Sequence, residues 1–292
     1  MSLPHAATPQ AMASPDKPAT FRFGPAGRQC CGTYRPANTR EALSPKVPVL
    51  LCPPYGQEAI RTQRLFRALG DRLGAKGHAV LRFDFFGTGD ADGSDTDGSM
   101  AEWANNVVTA HEALQSLSGQ SNVVWVGLRL GATLAARASA LAKQAPGKLV
   151  LWDPVCDGKA YLQELMDSSD RNLNDSLAQR WTQLKPRLDR AWGPGPAQAS
   201  GFELGETLLT EFQSLDVQAF SSVKARQITL LKPSRHEHTH PVTTALLRAG
   251  MLCKEVKTTE HIDWASDEAM GTAIVPAGLM AQLLAEMDSV RA

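Results

Sequence analysis

The stretch that decides the fold of this chain runs from Val123 to Ala132 and reads VVWVGLRLGA. A short apolar run ends at Gly127, Gly131 follows four positions later, and an alanine-rich helical pattern begins directly afterwards. Glycine permits tight turns and the close approach of two backbones. The stretch therefore predicts a strand, a sharp turn and a helix, with Arg129 in the middle of the turn.

Strands alternate with helices on both sides of this turn. Other strand-length apolar runs lie at Val49–Cys52, Ala79–Asp84, Lys148–Trp152, Gln227–Leu231 and Cys253–Val256. Helical patterns follow Gly56 and cover Met100–Leu117, Pro241–Arg248 and Pro276–Val290. This alternation predicts an α/β fold with a mostly parallel central sheet and helices on both faces. A β-hairpin over Phe21–Phe23 and Gln29–Tyr34 is expected to begin the sheet.

The alternation of strands and helices is interrupted between residues 157 and 223. This segment contains helical pieces around Tyr161–Leu165 and Leu177–Leu188, followed by the breaker-rich sequence GPGP at residues 193–196. We predict a core of residues 21–156 and 224–292, a helical cap insertion at 157–223 and a disordered leader at 1–20. If the insertion covers the sheet, its apolar residues should face the carboxyl edge of the strands: Leu162, Leu165, Trp181 and Leu184.

Composition narrows the classes of function. Thirty basic and thirty acidic residues leave no net charge, whereas nucleic-acid-binding proteins usually carry an excess of positive charge. The apolar runs are far shorter than the ~20 residues of a membrane span. The N-terminus lacks the pattern of a secretory signal, and five cysteines without framework spacing favour a reducing compartment. The sequence thus predicts a cytoplasmic protein with no nucleic-acid partner and no membrane span.

Two further stretches, taken with the turn at Arg129, resemble the α/β-hydrolase superfamily. The loop from Asp84 to Ala91, DFFGTGDA, resembles the D-x-x-G-x-G-x-S signature of the serine-aminopeptidase-like branch, although Ala91 replaces its last serine. With the sequence WDPV at residues 152–155, the chain is also similar to hydrolase-like proteins found with bacterial exosortase and exopolysaccharide systems. The resemblance implies the α/β-hydrolase fold from about residue 21 to the C-terminus.

The same resemblance implies a set of site residues. His261 lies where the family places its general base, and either Glu237 or Asp153 matches a position of the triad acid. The oxyanion hole would use backbone N–H groups of Leu130 and of the Tyr55–Gly56 turn. Asp153 could equally be a turn-capping residue ahead of Pro154.

The family's nucleophile is absent from this frame. The superfamily has G-x-S-x-G, and here Arg129 occupies the serine position. Arginine stays protonated in proteins and cannot attack a carbonyl. One hypothesis is therefore a non-catalytic protein that binds an anionic small molecule in the cleft. The other is an active acyl ester, thioester or peptide hydrolase or transferase that uses His261 with a displaced nucleophile or water.

Other roles for the candidate residues are also considered. Arg129 could instead form a buried ion pair with Asp84, Asp90 or Asp153. Cys52 and Cys156 are displaced-nucleophile candidates, but they are more typical of buried apolar side chains. Ser94 and Ser99 are expected to cap helices. His236, His238 and His240 alternate, but no second ligand cluster accompanies them, so we predict no metal and no cofactor.

Overall fold

The computed structural model describes residues 17–38, 46–177, 180–192, 198–199, 201–233, 240–258 and 277–288. Within them lies an eight-stranded sheet of order β1-β2-β4-β3-β5-β6-β9-β10. Its strands are β1 Ala19–Phe23, β2 Cys30–Arg35, β3 Lys46–Cys52, β4 His78–Asp84, β5 Val124–Leu128, β6 Lys148–Trp152, β9 Gln227–Lys232 and β10 Lys254–Lys257. β2 pairs antiparallel with β1 and β4, and the remaining pairs are parallel. The predicted α/β architecture is confirmed.

The helices connect the strands and cover both faces of the sheet. They are α1 Gly56–Ala75, α2 Met100–Ser118, α3 Leu130–Leu141, α4 Gly158–Ser176, α5 Trp181–Trp192, α6 Glu206–Ser214, α7 Pro241–Arg248 and α8 Ala277–Asp288. A two-stranded ribbon, β7 Gln198–Ala199 and β8 Phe202–Glu203, precedes α6. Among the described residues no helix is long and apolar enough to cross a bilayer.

Each face of the sheet has its own core. Alternate residues of a strand point to opposite faces, so Val49 and Leu51 of β3 pack with α1 and α8, whereas Leu50 packs with α2 and α3. The parallel strands β5 and β6 are buried at every position, as a sheet covered on both faces requires. Because β3, β5 and β6 run parallel, their carboxyl ends lie at the same edge of the sheet.

The helix α8 is attached to the sheet by charged side chains, of which Lys148 and Glu286 are buried. Glu286 of α8 accepts hydrogen bonds from Lys148 of β6 (2.7 Å), Lys254 of β10 (2.6 Å) and Thr229 of β9 (3.0 Å). Burial raises the pKa of Glu286, but these partners outweigh it and hold the pKa below its usual value. Polar contacts thus position α8 in addition to its apolar face.

The segment between β6 and β9 packs into the same core as the sheet. Leu165 of α4 and Phe212 of α6 belong to the apolar cluster that also contains Trp103 of α2, and Leu162 packs against that cluster. Glu211 of α6 accepts hydrogen bonds from the first backbone N–H groups of α2, at Met100 and Ala101. The segment is therefore attached to the core by both apolar and polar contacts.

Within this segment the sequence placed the helices only approximately. The helix expected over Leu177–Leu188 lies four residues further along the chain, as α5 from Trp181 to Trp192. The helix expected around Tyr161–Leu165 is longer than predicted, because α4 continues to Ser176. Trp181 and Leu184 are half-buried on α5, which packs against α4. The assignment of residues 157–223 as a cap stays a prediction.

Candidate functional site

Arg129 occupies the turn between β5 and α3. Its backbone angles are φ 52° and ψ −122°, a conformation that L-residues with a side chain rarely adopt. Its N–H donates to the carbonyl of Trp152 at 2.9 Å, and its carbonyl accepts from Ala132 at 3.0 Å. Among the described residues, the two non-glycine residues with positive φ are Arg129 and Asp153. Such strain, placed at the ends of two neighbouring strands, is typical of a functional site.

The two glycines of the frame allow this turn to form. A Cβ on Gly131 would lie 2.1 Å from the carbonyl oxygen of Pro53, and one on Gly127 would lie 2.5 Å from the Cα of Ala132. Real Cβ atoms do not approach other backbone atoms so closely. Both positions thus require glycine, because α3 begins directly against the ends of β3 and β5.

The guanidinium of Arg129 lies among three carboxylates. Its Nε donates to Glu58 Oε1 at 2.9 Å, one Nη donates to Asp153 Oδ2 at 3.4 Å, and the other donates to Glu164 Oε2 at 2.7 Å. Tyr161 donates its hydroxyl to the second oxygen of Glu58 at 2.8 Å, and its ring lies 5.2 Å from the guanidinium carbon. We call these five residues the Arg129 cluster.

Most of the cluster is withdrawn from solvent. Arg129 is 7% exposed, Glu58 5% and Asp153 8%, whereas the side chain of Glu164 is 45% exposed. Burial alone would lower the pKa of Arg129, but the charges of Glu58, Asp153 and Glu164 outweigh it and hold the pKa well above its usual value. Arg129 is therefore a permanently charged, buried group that depends on its carboxylate partners.

The cluster also changes the acidity of its other members. Burial raises the pKa of Glu58, against the opposing effects of the Arg129 charge and of the hydrogen bonds from Arg129 and Tyr161. Burial and the neighbouring Glu58 charge raise the pKa of Tyr161 well above its usual value. Because each Glu58 oxygen accepts one donor, the geometry fits a carboxylate beside a neutral phenol.

Two helices begin next to the cluster. Gly56, with φ 59°, is the first residue of α1, and Leu130 is the first residue of α3. The close approach of Gly131 to Pro53 brings these two helix starts together. The first N–H groups of a helix have no partner within the helix. The oxyanion role of Tyr55, Gly56 and Leu130 stays a prediction, and the Tyr55 ring packs 5.2 Å from Trp103.

The displaced-nucleophile candidates, Cys52 and Cys156, have no hydrogen-bonded base among the described residues. Burial raises the pKa of Cys52 far above its usual range. Burial, together with the charges of Asp157 and Asp153, raises the pKa of Cys156. Both effects disfavour the reactive thiolate. Ser99 caps α2 by accepting the N–H of Glu102 at 3.1 Å, and Ser94 forms a capping box with Asp97, as the sequence indicated.

Several predicted residues lie outside the described residues, namely His261, Glu237, His236 and His238. His240 is described, and its ring nitrogen accepts the N–H of Val242 as the cap of α7. No group of metal-ligating side chains occurs within the described ranges.

Three members of the cluster were missed by sequence reasoning. Asp153 was one of three candidate partners for Arg129, and the other two, Asp84 and Asp90, do not contact it. Glu58 lies in the first turn of α1, where an acidic residue is explained by the helix dipole alone. Tyr161 and Glu164 are three residues apart and share one face of α4. Only the position of α4 over the sheet edge brings them to Arg129.

No family model matches the sequence, and no curated protein sequence matches it either. Solved structures do match. Est1E of Butyrivibrio proteoclasticus, solved with ferulic acid bound, has a TM-score of 0.60 at 15% identity over 92% of this chain and 100% of its own.

Two other solved structures match over the same share of this chain. The thioesterase domain from the curacin biosynthetic pathway has a TM-score of 0.54 at 16% identity, over 92% of this chain and 99% of its own. Proline iminopeptidase of Mycobacterium smegmatis has a TM-score of 0.57 at 10% identity, over 92% of this chain and 98% of its own. The chain therefore has the α/β-hydrolase fold, as the sequence resemblance implied.

Proposed function

We propose that this chain is a non-catalytic α/β-hydrolase-fold protein in which a structural ion-pair cluster occupies the place of the catalytic centre. The observation that carries the proposal is the guanidinium of Arg129, at the strained turn between β5 and α3, hydrogen-bonded to Glu58, Asp153 and Glu164. In the superfamily this turn carries the nucleophile. A guanidinium with a raised pKa has no lone pair with which to attack.

The triad-acid position supports the same proposal. Asp153 is one of the family's alternative positions for the acid, and here it contacts Arg129. A triad acid must instead hold the imidazole of the base. With Asp153 committed to Arg129, His261 would need another acid, and Glu237 is the remaining candidate from the sequence.

The cluster's charge balance bears on the anionic-ligand hypothesis. One guanidinium faces three carboxylates, so an incoming carboxylate or phosphate would meet more negative than positive charge. Like charges at such distances repel, and burial strengthens the repulsion. The geometry therefore favours a structural role for Arg129 over recognition of an anion, and the two roles differ in the effect of removing the side chain.

The catalytic half of the proposal is tested on the unmodified protein and on Arg129→Ser. We expect the unmodified protein neither to hydrolyse p-nitrophenyl acetate above the uncatalysed rate nor to gain mass with a fluorophosphonate. Arg129→Ser should show weak esterase activity at most, because a nucleophile without an oriented base gains little. Hydrolysis by the unmodified protein that disappears in His261→Ala would contradict the proposal and favour displaced catalysis.

The statement that Arg129 does not bind an anion is tested by calorimetry with acetate and phosphate. The proteins compared are the unmodified protein, Arg129→Ala and the surface control Arg22→Ala. If Arg129 bound the anion, its removal would weaken affinity about ten- to hundredfold, as the loss of a charge-assisted contact implies. We expect no difference between the two variants. A selective loss of affinity in Arg129→Ala would establish an anion site.

A further inference from the structure

A groove separate from the Arg129 cluster lies between α1 and the strands β2 and β4. Its volume is about 480 Å³, within the usual range of small-molecule sites. None of the five cluster residues lines it. Its walls include three charged side chains and several apolar ones, chiefly Arg82, Asp84, Asp90, Pro54, Phe66 and Phe202.

One of the charged side chains that line the groove is the cation Arg82. Arg82 follows Val80 by two residues on β4, so the two side chains share the face covered by α1. Val80 is buried in the core beneath α1, whereas Arg82 is half-buried. Within the described ranges its guanidinium has no hydrogen bond or ion pair, and burial lowers its pKa. The charges of Asp84 and Asp71 act on the guanidinium. A half-buried guanidinium whose N–H groups have no acceptor is nevertheless costly unless a ligand supplies one.

The groove is also lined by two carboxylates, Asp84 and Asp90. Asp84 is the next residue of β4 on this face, and its Oδ2 accepts the N–H of Asp90 at 3.1 Å. Gly89, with φ 54°, lies so close that an added Cβ would be 2.5 Å from Asp84 Oδ2. The loop therefore folds tightly around one oxygen of Asp84. Burial raises the pKa of this carboxyl, which a bound cation would reverse.

Apolar side chains line the rest of the groove. Phe66 extends from α1, and Phe202 comes from the segment between β6 and β9. A Cβ added to Gly56 would lie 3.6 Å from the ring of Phe202. Ile60 of α1 also lines the groove and is 57% exposed. Cation, carboxylates and apolar walls thus converge on a single space.

We propose that this groove binds a small zwitterion with an apolar side chain, a free amino acid or a short peptide. Arg82 would pair with its carboxylate, Asp84 and Asp90 with its ammonium group, and Phe66 and Phe202 would hold its side chain. This assignment goes beyond the proposed function and is independent of it, because no residue of the Arg129 cluster takes part.

The test is calorimetry of the full chain with L-phenylalanine and two analogues that each lack one charge. Phenethylamine has no carboxylate, and 3-phenylpropionate has no ammonium group. L-phenylalanine should bind more tightly than either analogue by about tenfold or more, since each loses a charge-assisted contact. No detectable binding of L-phenylalanine or L-leucine at millimolar concentrations would overturn the proposal.

Variants test the roles of Arg82 and Asp84 separately. Arg82→Gln should weaken the affinity for L-phenylalanine and 3-phenylpropionate about ten- to hundredfold and leave the affinity for phenethylamine unchanged. Asp84→Asn should weaken the affinity for L-phenylalanine and phenethylamine and leave that for 3-phenylpropionate unchanged. Arg72→Gln, on the exposed face of α1, is the matched control. Equal weakening of all three ligands by Arg82→Gln, or by the control, would contradict the assignment. The ligand series in the unmodified protein decides the matter even if a variant fails to fold.

Discussion

At the scale of single residues, Arg129 shows how a buried charge is retained. Its three carboxylate partners come from α1, α4 and the residue after β6. Removing the cation would leave Glu58 and Asp153 buried without it. Breaking a buried ion pair from one side costs far more than breaking an exposed one.

The first prediction follows for Arg129→Met. At neutral pH we expect a loss of about 3 to 5 kcal/mol in the free energy of unfolding, because carboxylates stay buried without their cation. Burial already raises the pKa of Glu58, and losing the Arg129 charge would raise it further. A carboxyl with a raised folded pKa destabilises above that pKa, and the destabilisation fades as the pH falls towards its unfolded value of about 4.

The deficit of Arg129→Met should therefore shrink between pH 7 and pH 4. Urea denaturation at several pH values measures it, with Arg22→Met as the control. Arg22 pairs with Asp92 and is 48% exposed, so its loss should change stability by no more than about 1 kcal/mol. A deficit that stays constant over this range would mean that the carboxylates do not depend on Arg129.

The residues of the site were only partly predictable from sequence. Gly127, Arg129 and Gly131 lie in one contiguous stretch, so the turn could be located directly. Glu58 and Glu164 are distant in the chain, and each has an ordinary explanation as a helical surface acid. Their contact with Arg129 depends on how α1 and α4 lie over the sheet, which no local pattern encodes.

At the scale of elements, the frame around Arg129 depends on the contact between α3 and the end of β3. Gly131→Ala should destabilise the protein by roughly 3 kcal/mol, since its Cβ would meet the Pro53 carbonyl oxygen at 2.1 Å. Gly70→Ala on α1 is the matched control. Its Cβ would meet Val80 at an ordinary 3.7 Å, and alanine favours a helix over glycine by about 1 kcal/mol.

Thermal or urea unfolding of the two variants measures both effects. We expect opposite signs, with Gly70→Ala at least as stable as the unmodified protein. Similar stability of Gly131→Ala would show that α3 does not approach β3 as closely as the structure indicates.

Elements with strong periodicity were predicted well. The strand Lys148–Trp152 and the helix Pro241–Arg248 have the expected bounds. In contrast, α6 and the ribbon of β7 and β8 were not predicted. Each ribbon strand is two residues long, and α6 is a short helix stabilised by packing against α4. Short elements whose stability comes from tertiary contacts leave a weak local signal.

At the scale of the whole molecule, the fold is retained with little sequence similarity. The three structural matches described above each span 92% of this chain at 10 to 16% identity. Buried strands accept many apolar residues, so the architecture does not demand particular ones. The chemistry of a site does demand them, and fold alone does not determine function. A cluster at the edge of the sheet can therefore differ from those of proteins with the same fold.

The Arg129 cluster also connects the parts of the molecule. It joins α1, the β5–α3 turn, the end of β6 and α4, the first helix of the segment between β6 and β9. Leu165 and Phe212 place that segment in the core of the sheet as well. Hydrogen bonds of one cluster thus connect four parts of the molecule.

The most direct test of this structural role is a double-mutant cycle on Arg129 and Glu58. The free energy of unfolding is measured by urea denaturation at pH 7 for the unmodified protein, Arg129→Met, Glu58→Gln and the double variant. Because the two side chains form a buried, hydrogen-bonded ion pair, we predict a coupling free energy of about 2 to 3 kcal/mol. A coupling free energy indistinguishable from zero would contradict the account.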